Sequence, residues 1–106
     1  MDDNQNFSIT MDETAGNAVS LIVSGRVDAV NSAVLGSNLE KALGGGHINI
    51  TVNMSGVRFL SSMGIRAILK AYKTAKELGG ALHITSPSEI VKNVMGMTAL
   101  DEMLLD

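Results

Sequence analysis

The chain has no cysteine or tryptophan, a single proline, and three aromatic residues, Phe7, Phe59 and Tyr72. Without cysteine, disulfide frameworks, thiol nucleophiles and thiolate metal sites are excluded. With so few rings, the core has to be aliphatic, and seven methionines are there to fill its gaps. Positive charge is also scarce. Eight Lys and Arg against eleven Asp and Glu leave a net charge of −3, the wrong sign for a general nucleic-acid binder. No apolar run approaches the ~18 residues of a membrane span. The opening "MDDNQN" is polar and acidic, unlike a secretory or mitochondrial leader. The expectation is a soluble cytoplasmic domain with no membrane insertion and no direct contact with nucleic acid.

What is present suits one core. At 106 residues, 45% of them apolar, the chain can bury roughly two-thirds of the surface its unfolded form exposes. Residues 1–6 are expected to be disordered and 7–106 to form a single domain. Four segments alternate apolar and polar residues: Phe7, Ile9 and Met11; Val19, Leu21 and Val23; Ile48, Ile50 and Val52; Leu82 and Ile84. Period-two alternation marks half-buried strands. "DETAGN" at 12–17 supplies turn residues for a hairpin between the first two. An apolar stripe from Ser32 to Leu43 predicts a helix ended by "GGG", and a second runs from Ser62 to Leu78 before Gly79 and Gly80. "SPSE" at 86–89 predicts a third, with Ser86 as cap, Pro87 in the first turn and Glu89 closing a capping box, and Gly96 as its stop. "TALD" opens a last short turn carrying Leu100, Met103 and Leu104.

The order is β-β-α-β-α-β-α-α. Strand–helix–strand units imply right-handed crossovers and parallel pairing. Because the strands alternate, helices should cover one face only. The fold class is thus α/β, with a mixed sheet of four or five strands and all helices on one side.

Little in the chain resembles a catalytic apparatus. His47 and His83 have no partner at ligand spacing, and Asp12, Glu13, Asp28, Glu40 and Glu77 show no paired spacing. "GSNLEKALGGG" is glycine-rich but follows a helix, whereas a phosphate cradle precedes one. No catalytic residue, cofactor or metal is expected. Two strand-to-helix junctions remain, "SGRVDAVNSAVL" (24–35) and "VNMSGVRFLSSMGIRAILKA" (52–71). Both lie at strand C-terminal ends, where open α/β sheets place their sites. Ser61 and Ser62 either cap the second helix only or offer a hydroxyl for modification. A phosphate there would meet unpaired N–H groups and the positive helix end, with Arg66 one turn on. Met63 and Val57 are either core or an apolar partner patch. Asp28 is either a loop cap or part of the same interface. Arg66, Lys70 and Lys73 are either a solvated stripe or a surface for an acidic partner.

The second junction resembles the signature of the STAS domain, shared by sulfate transporters and anti-sigma factor antagonists. Asn53-Met54-Ser55-Gly56-Val57, Phe59-Leu60 and Ser61-Ser62-Met63-Gly64-Ile65 stand where that family has Asp-Leu-Ser-Gly-Val, two bulky residues and Asp-Ser-Ser-Gly-Leu. "SGRVDAVNSAVL" is similar to its Gly-x-Leu/Ile-Asp stretch, and "GGALHITSPSEIVKNVMGMTALDEML" to its closing strand and two short helices. The likeness covers residues 7 to 105. The chain departs from the pattern with Ser61 and Asn53 in place of aspartates and Met63 in place of a small residue.

The resemblance implies a non-enzymatic regulatory module, an anti-sigma factor antagonist. It would bind an anti-sigma factor with a histidine-kinase-like serine kinase fold when unphosphorylated, and be switched off by phosphorylation at Ser62. Asp28, Asn53, Ser55, Val57, Ser61, Met63 and Arg66 would contact the partner, and the chain would be a monomer or weak dimer. The alternative is a constitutive STAS subunit of a phospholipid-transport ABC complex, never phosphorylated. A nucleotide sensor is a third possibility, disfavoured by the missing phosphate cradle.

Overall fold

The computed structural model describes residues 7–13 and 16–105. The expected disordered segment 1–6, two residues of the hairpin turn (Thr14 and Ala15) and Asp106 lie outside the described residues. Phe7, Ile9 and Met11 pack on the core at and beside β1 (Ser8–Glu13), which pairs antiparallel with β2 (Ala18–Val27) from Ser8–Ser24 to Glu13–Val19. The expected hairpin is present. On β2, Val19, Leu21, Val23 and Val27 are buried, while Ile22 and Arg26 on the opposite face are exposed.

From β2 the chain crosses through α1 (Ala29–Gly44) to β3 (Asn49–Leu60), and through α2 (Ser62–Glu77) to β4 (Ala81–Thr85). Both crossovers return to a parallel neighbour, giving the sheet order β1-β2-β3-β4. Helices α3 (Glu89–Met97) and α4 (Asp101–Leu104) follow. Leu35 and Leu39 of α1, Ile68 and Ala71 of α2, Val91 and Met95 of α3 and Leu104 of α4 share one apolar cluster with the inward side chains of the strands. The helices therefore cover one face and leave the other open, as the alternation requires. Among the described residues the sheet has four strands. Its fifth is reduced to one parallel bridge, Ile84–Leu105, on the outer edge of β4.

Three boundaries differ from expectation. Helix α1 starts three residues before Ser32, because the Asp28 carboxylate accepts the Asn31 N–H (2.8 Å) and so caps an earlier turn. Helix α3 is capped by Ser88, whose hydroxyl accepts from the Val91 N–H (3.3 Å). Ser86 does not cap it, since its backbone is in the left-handed region at φ 47° and not in the extended conformation of an N-cap. Gly96 does not stop α3, which runs to Met97 with Thr98 as C-cap.

The largest difference is in β3, expected to end near Asn53. It continues to Leu60 through two irregularities in its pairing with β2. Ile22 faces Asn53 but Ser24 faces Gly56, and Gly25 faces Val57 but Arg26 faces Phe59. Each shift inserts one residue into β3, a bulge of a kind uncommon between parallel strands. Buried positions consequently fall at Ile50, Val52, Met54, Val57 and Leu60, with the spacing widening from two to three.

The turn from α2 into β4 is held by two successive glycines with different duties. Gly79 adopts φ +91°. Gly80 donates to the Ala75 carbonyl (2.7 Å) and lies so close to the Ile48 carbonyl that no Cβ fits. The Ala81 N–H then reaches the same Ile48 carbonyl at 2.9 Å.

Candidate functional site

Val27 and Leu60 end β2 and β3 side by side, so α1 and α2 start next to each other on the C-terminal edge of the sheet. Two bonds to backbone carbonyls fix the junction: the Ser61 N–H donates to that of Val27 (2.9 Å), and the Asn31 side-chain amide to that of Arg26 (2.8 Å). The Ser32 hydroxyl, 4% exposed, donates to the Asp28 carbonyl (2.6 Å) and lies 3.3 Å from the Ser61 hydroxyl. Ser61 in turn accepts from the Gly64 N–H (3.2 Å) as N-cap of α2. Gly64 completes the closure. A Cβ there would stand 2.8 Å from Leu60 Cδ1 and 2.9 Å from Val27 Cγ1, so only glycine lets the first turn of α2 settle this deeply.

The two serines thus have different surroundings. Ser61 is half-buried, and its hydroxyl is committed to the cap and to Ser32. Ser62, the first residue of α2, is exposed, and among the described residues its hydroxyl makes no hydrogen bond. The first-turn N–H groups and the positive end of the helix dipole lie beside it. Met63, 47% exposed, and the exposed Arg66 follow on the same helix. Across the junction Val30, in the first turn of α1, is 75% exposed. Asp28 is the cap of α1, the first of its two expected roles. Replacing it by alanine is expected to cost about 1 kcal/mol, seen as a fall in Tm of about 4–8 °C. An unchanged Tm would mean that α1 starts without its help.

The remaining expected site residues do not all gather here. Val57 is 1% exposed and packs in the core, because the bulges turn its side chain inward. That corrects its assignment to a partner patch. Asn53 caps its own turn, with its side-chain oxygen accepting from the Ser55 N–H at 3.0 Å. It pairs with Ile22, five rungs before Val27, or about 16 Å along the strand at ~3.3 Å per residue. Asn53 and the exposed Ser55 therefore stand away from the serine junction.

Three features escaped sequence reasoning. Ser32 stands at the predicted helix start, although a serine four residues after a capping aspartate can bond back to its carbonyl. Arg26 lies over the Phe59 ring, 4.4 Å from its centroid, on the open face of the sheet, a pairing visible only once the second bulge sets Arg26 against Phe59. The exposure of Val30 carries no sequence signal, since valine is among the residues most often buried.

Among the described residues no three His, Asp or Glu side chains converge as metal ligands, and no helix is long and apolar enough to cross a membrane. The site offers a hydroxyl, a helix terminus, a cation and apolar contact surface. Such a set can bind a protein and accept a phosphoryl group.

The family model for the STAS domain matches residues 9–105. No curated protein sequence matches the chain significantly. Among solved structures, the anti-sigma factor antagonist SpoIIAA in its unphosphorylated form aligns with a TM-score of 0.83 at 18% identity, over 93% of this chain and 87% of that one. A putative anti-sigma factor antagonist from Thermotoga maritima gives 0.80 at 22% identity, over 93% and 83% of the two chains. The phosphorylated form of SpoIIAA from Bacillus gives 0.76 at 17% identity, over 93% and 90%. At these identities the likeness is one of fold.

Proposed function

The chain belongs to the STAS domain family, and we propose that within it the protein is an anti-sigma factor antagonist regulated at Ser62. With Ser62 free it binds an anti-sigma factor that is also a serine kinase. The kinase transfers the γ-phosphoryl group of ATP to the Ser62 oxygen, releasing ADP and the hydroxyl proton, and the complex then separates. The protein is a substrate in this reaction and supplies no catalytic group.

The observation that carries this reading is the contrast between the adjacent serines. Ser62 is exposed at the start of α2 with a hydroxyl that makes no hydrogen bond among the described residues, while Ser61 is occupied as cap. A phosphate on Ser62 would sit where a helix favours an anion. Solved relatives of this fold include SpoIIAA in both phosphorylated and unphosphorylated forms, which fits such a switch. Contact with the partner would involve Ser62, Met63 and Arg66 directly, with Asp28 and Ser61 shaping the junction beneath them.

The test is incubation with ATP and a serine kinase recovered with the protein by native pulldown, followed by peptide mass spectrometry. One phosphate, on Ser62 and not on Ser61, is expected. Should native pulldown instead recover a transport ATPase without any kinase, and Ser62 stay unmodified, the constitutive-subunit alternative replaces this reading.

A further inference from the structure

Half of the eight basic side chains lie on α2: Arg66, Lys70, Lys73 and Lys76, opposed there by Glu77 alone. Four cations less one anion give this helix +3 in a chain of net −3, so the rest carries −6. Alongside it, between α1 and α2, runs an open groove of about 680 Å³. Small residues make its floor: Ala33 and Gly36 from α1, Ala67 and Ala71 from α2. The helices approach so closely there that a Cβ on Gly36 would lie 3.6 Å from that of Ala67. Met63 lines it near the start of α2 and Leu78 just past its end, 47% and 52% exposed. Fifteen residues separate them, about 22 Å of helix at ~1.5 Å per residue. Arg66 and Lys70 stand on the rim, and Lys70 reaches Glu40 of α1 at 3.3 Å.

An elongated concavity with an apolar floor and a rim of two cations against one exposed carboxylate, Glu40, fits a convex rod with an apolar ridge and carboxylates on its flank, one of which displaces Glu40 from Lys70. A bilayer surface is flat and takes side chains that project. A phosphate backbone has no apolar ridge to fill the floor. The groove also begins at the switch, since Met63 follows Ser62 in sequence and Arg66 lies one helical turn beyond it.

We propose that the α1–α2 groove seats an acidic amphipathic helix of the regulatory partner, anchored by Arg66 and Lys70. This rests on the partner-binding reading above and deepens it. Arg66 then serves two anions in turn: a carboxylate of the partner while Ser62 is free, and the phosphate once Ser62 is modified. The switch thus withdraws an anchor as well as adding a repulsive charge.

The test places a photo-crosslinking amino acid at Ser37, which lines the groove, and in a second full-length chain at Thr10, on the open sheet face. Both are irradiated in native cells and the crosslinked peptides are sequenced. From Ser37 a single helix-forming segment rich in Asp and Glu is expected, and from Thr10 none of that segment. The double variant Arg66→Glu/Lys70→Glu, with its fold verified by circular dichroism, should bind the captured protein at least tenfold more weakly. Replacing that segment's carboxylates by lysine should restore much of the loss. Crosslinks from Ser37 only to lipid or nucleic acid, no protein crosslink at all, a basic segment, or undiminished binding by the double variant would each overturn the proposal. The two readings fail separately. If Ser62 is never phosphorylated while Ser37 captures the acidic helix, the switch falls and the groove stands. If phosphorylation releases a partner that Ser37 never touches, the groove alone falls.

Discussion

Phosphorylated at Ser62, the protein is expected to bind its partner at least a hundredfold more weakly while its own Tm stays level or rises. Both halves follow from where the phosphate lands. Ser62 is exposed at the first position of α2, so no core contact is displaced. The group brings about −1.5 to −2 charges to a helix end carrying roughly +0.5, with Arg66 a turn away. Within the free chain the interaction is favourable by ~0.3–1 kcal/mol. In the complex, the same dianion meets a surface packed against a neutral hydroxyl and has to shed water there. A loss of ~3 kcal/mol at one such contact exceeds a hundredfold in Kd. Calorimetry on modified and unmodified chains, with thermal melts of each, checks the pair of outcomes. Affinities within threefold of each other would refute the switch. A large fall in Tm would instead make modification an unfolding signal.

The second large effect concerns stability. Gly80→Ala is expected to destabilise the fold by at least ~3 kcal/mol, more than its neighbour Gly79→Ala. At Gly79 the added methyl meets open space, and the penalty is backbone strain at φ +91°, ~1–2 kcal/mol. At Gly80 it meets the Ile48 carbonyl, a backbone group that no rotamer change can move aside. Relief would require breaking the bond from Gly80 to Ala75, which ties the turn to α2, or that from Ala81 to Ile48, which sets the start of β4 beside the chain entering β3. Urea melts of the two variants decide the matter. An equal or smaller loss at Gly80 would show that this turn yields easily.

Much of this was legible in the chain because most elements obey one period each. Strands β1, β2 and β4 alternate cleanly, and the α2 stripe from Ile65 to Ala75 is that of a half-buried helix. The serine junction was legible for the same reason, since it follows a strand and opens a strong helix. Strand β3 hides its second half because two bulges break period two, so the sequence leaves Val57 open between core and partner patch. Cap choice at α3 was ambiguous, because Ser86 and Ser88 flank the same proline and only the backbone turn at Ser86 separates them. The link between Ser32 and Ser61 spans 29 positions, and nothing local to either serine announces it.

The two bulges leave the protein with a pair of supernumerary residues. Ser55 and Arg58 are exposed. With both struck out, the remaining order from Ile50 to Leu60 alternates inward and outward without a break. A single-residue deletion at either place should therefore leave every downstream side chain on its present side, whereas the loss of Thr51 would turn the rest of the strand over. Length is negotiable at two points of β3 and fixed between them.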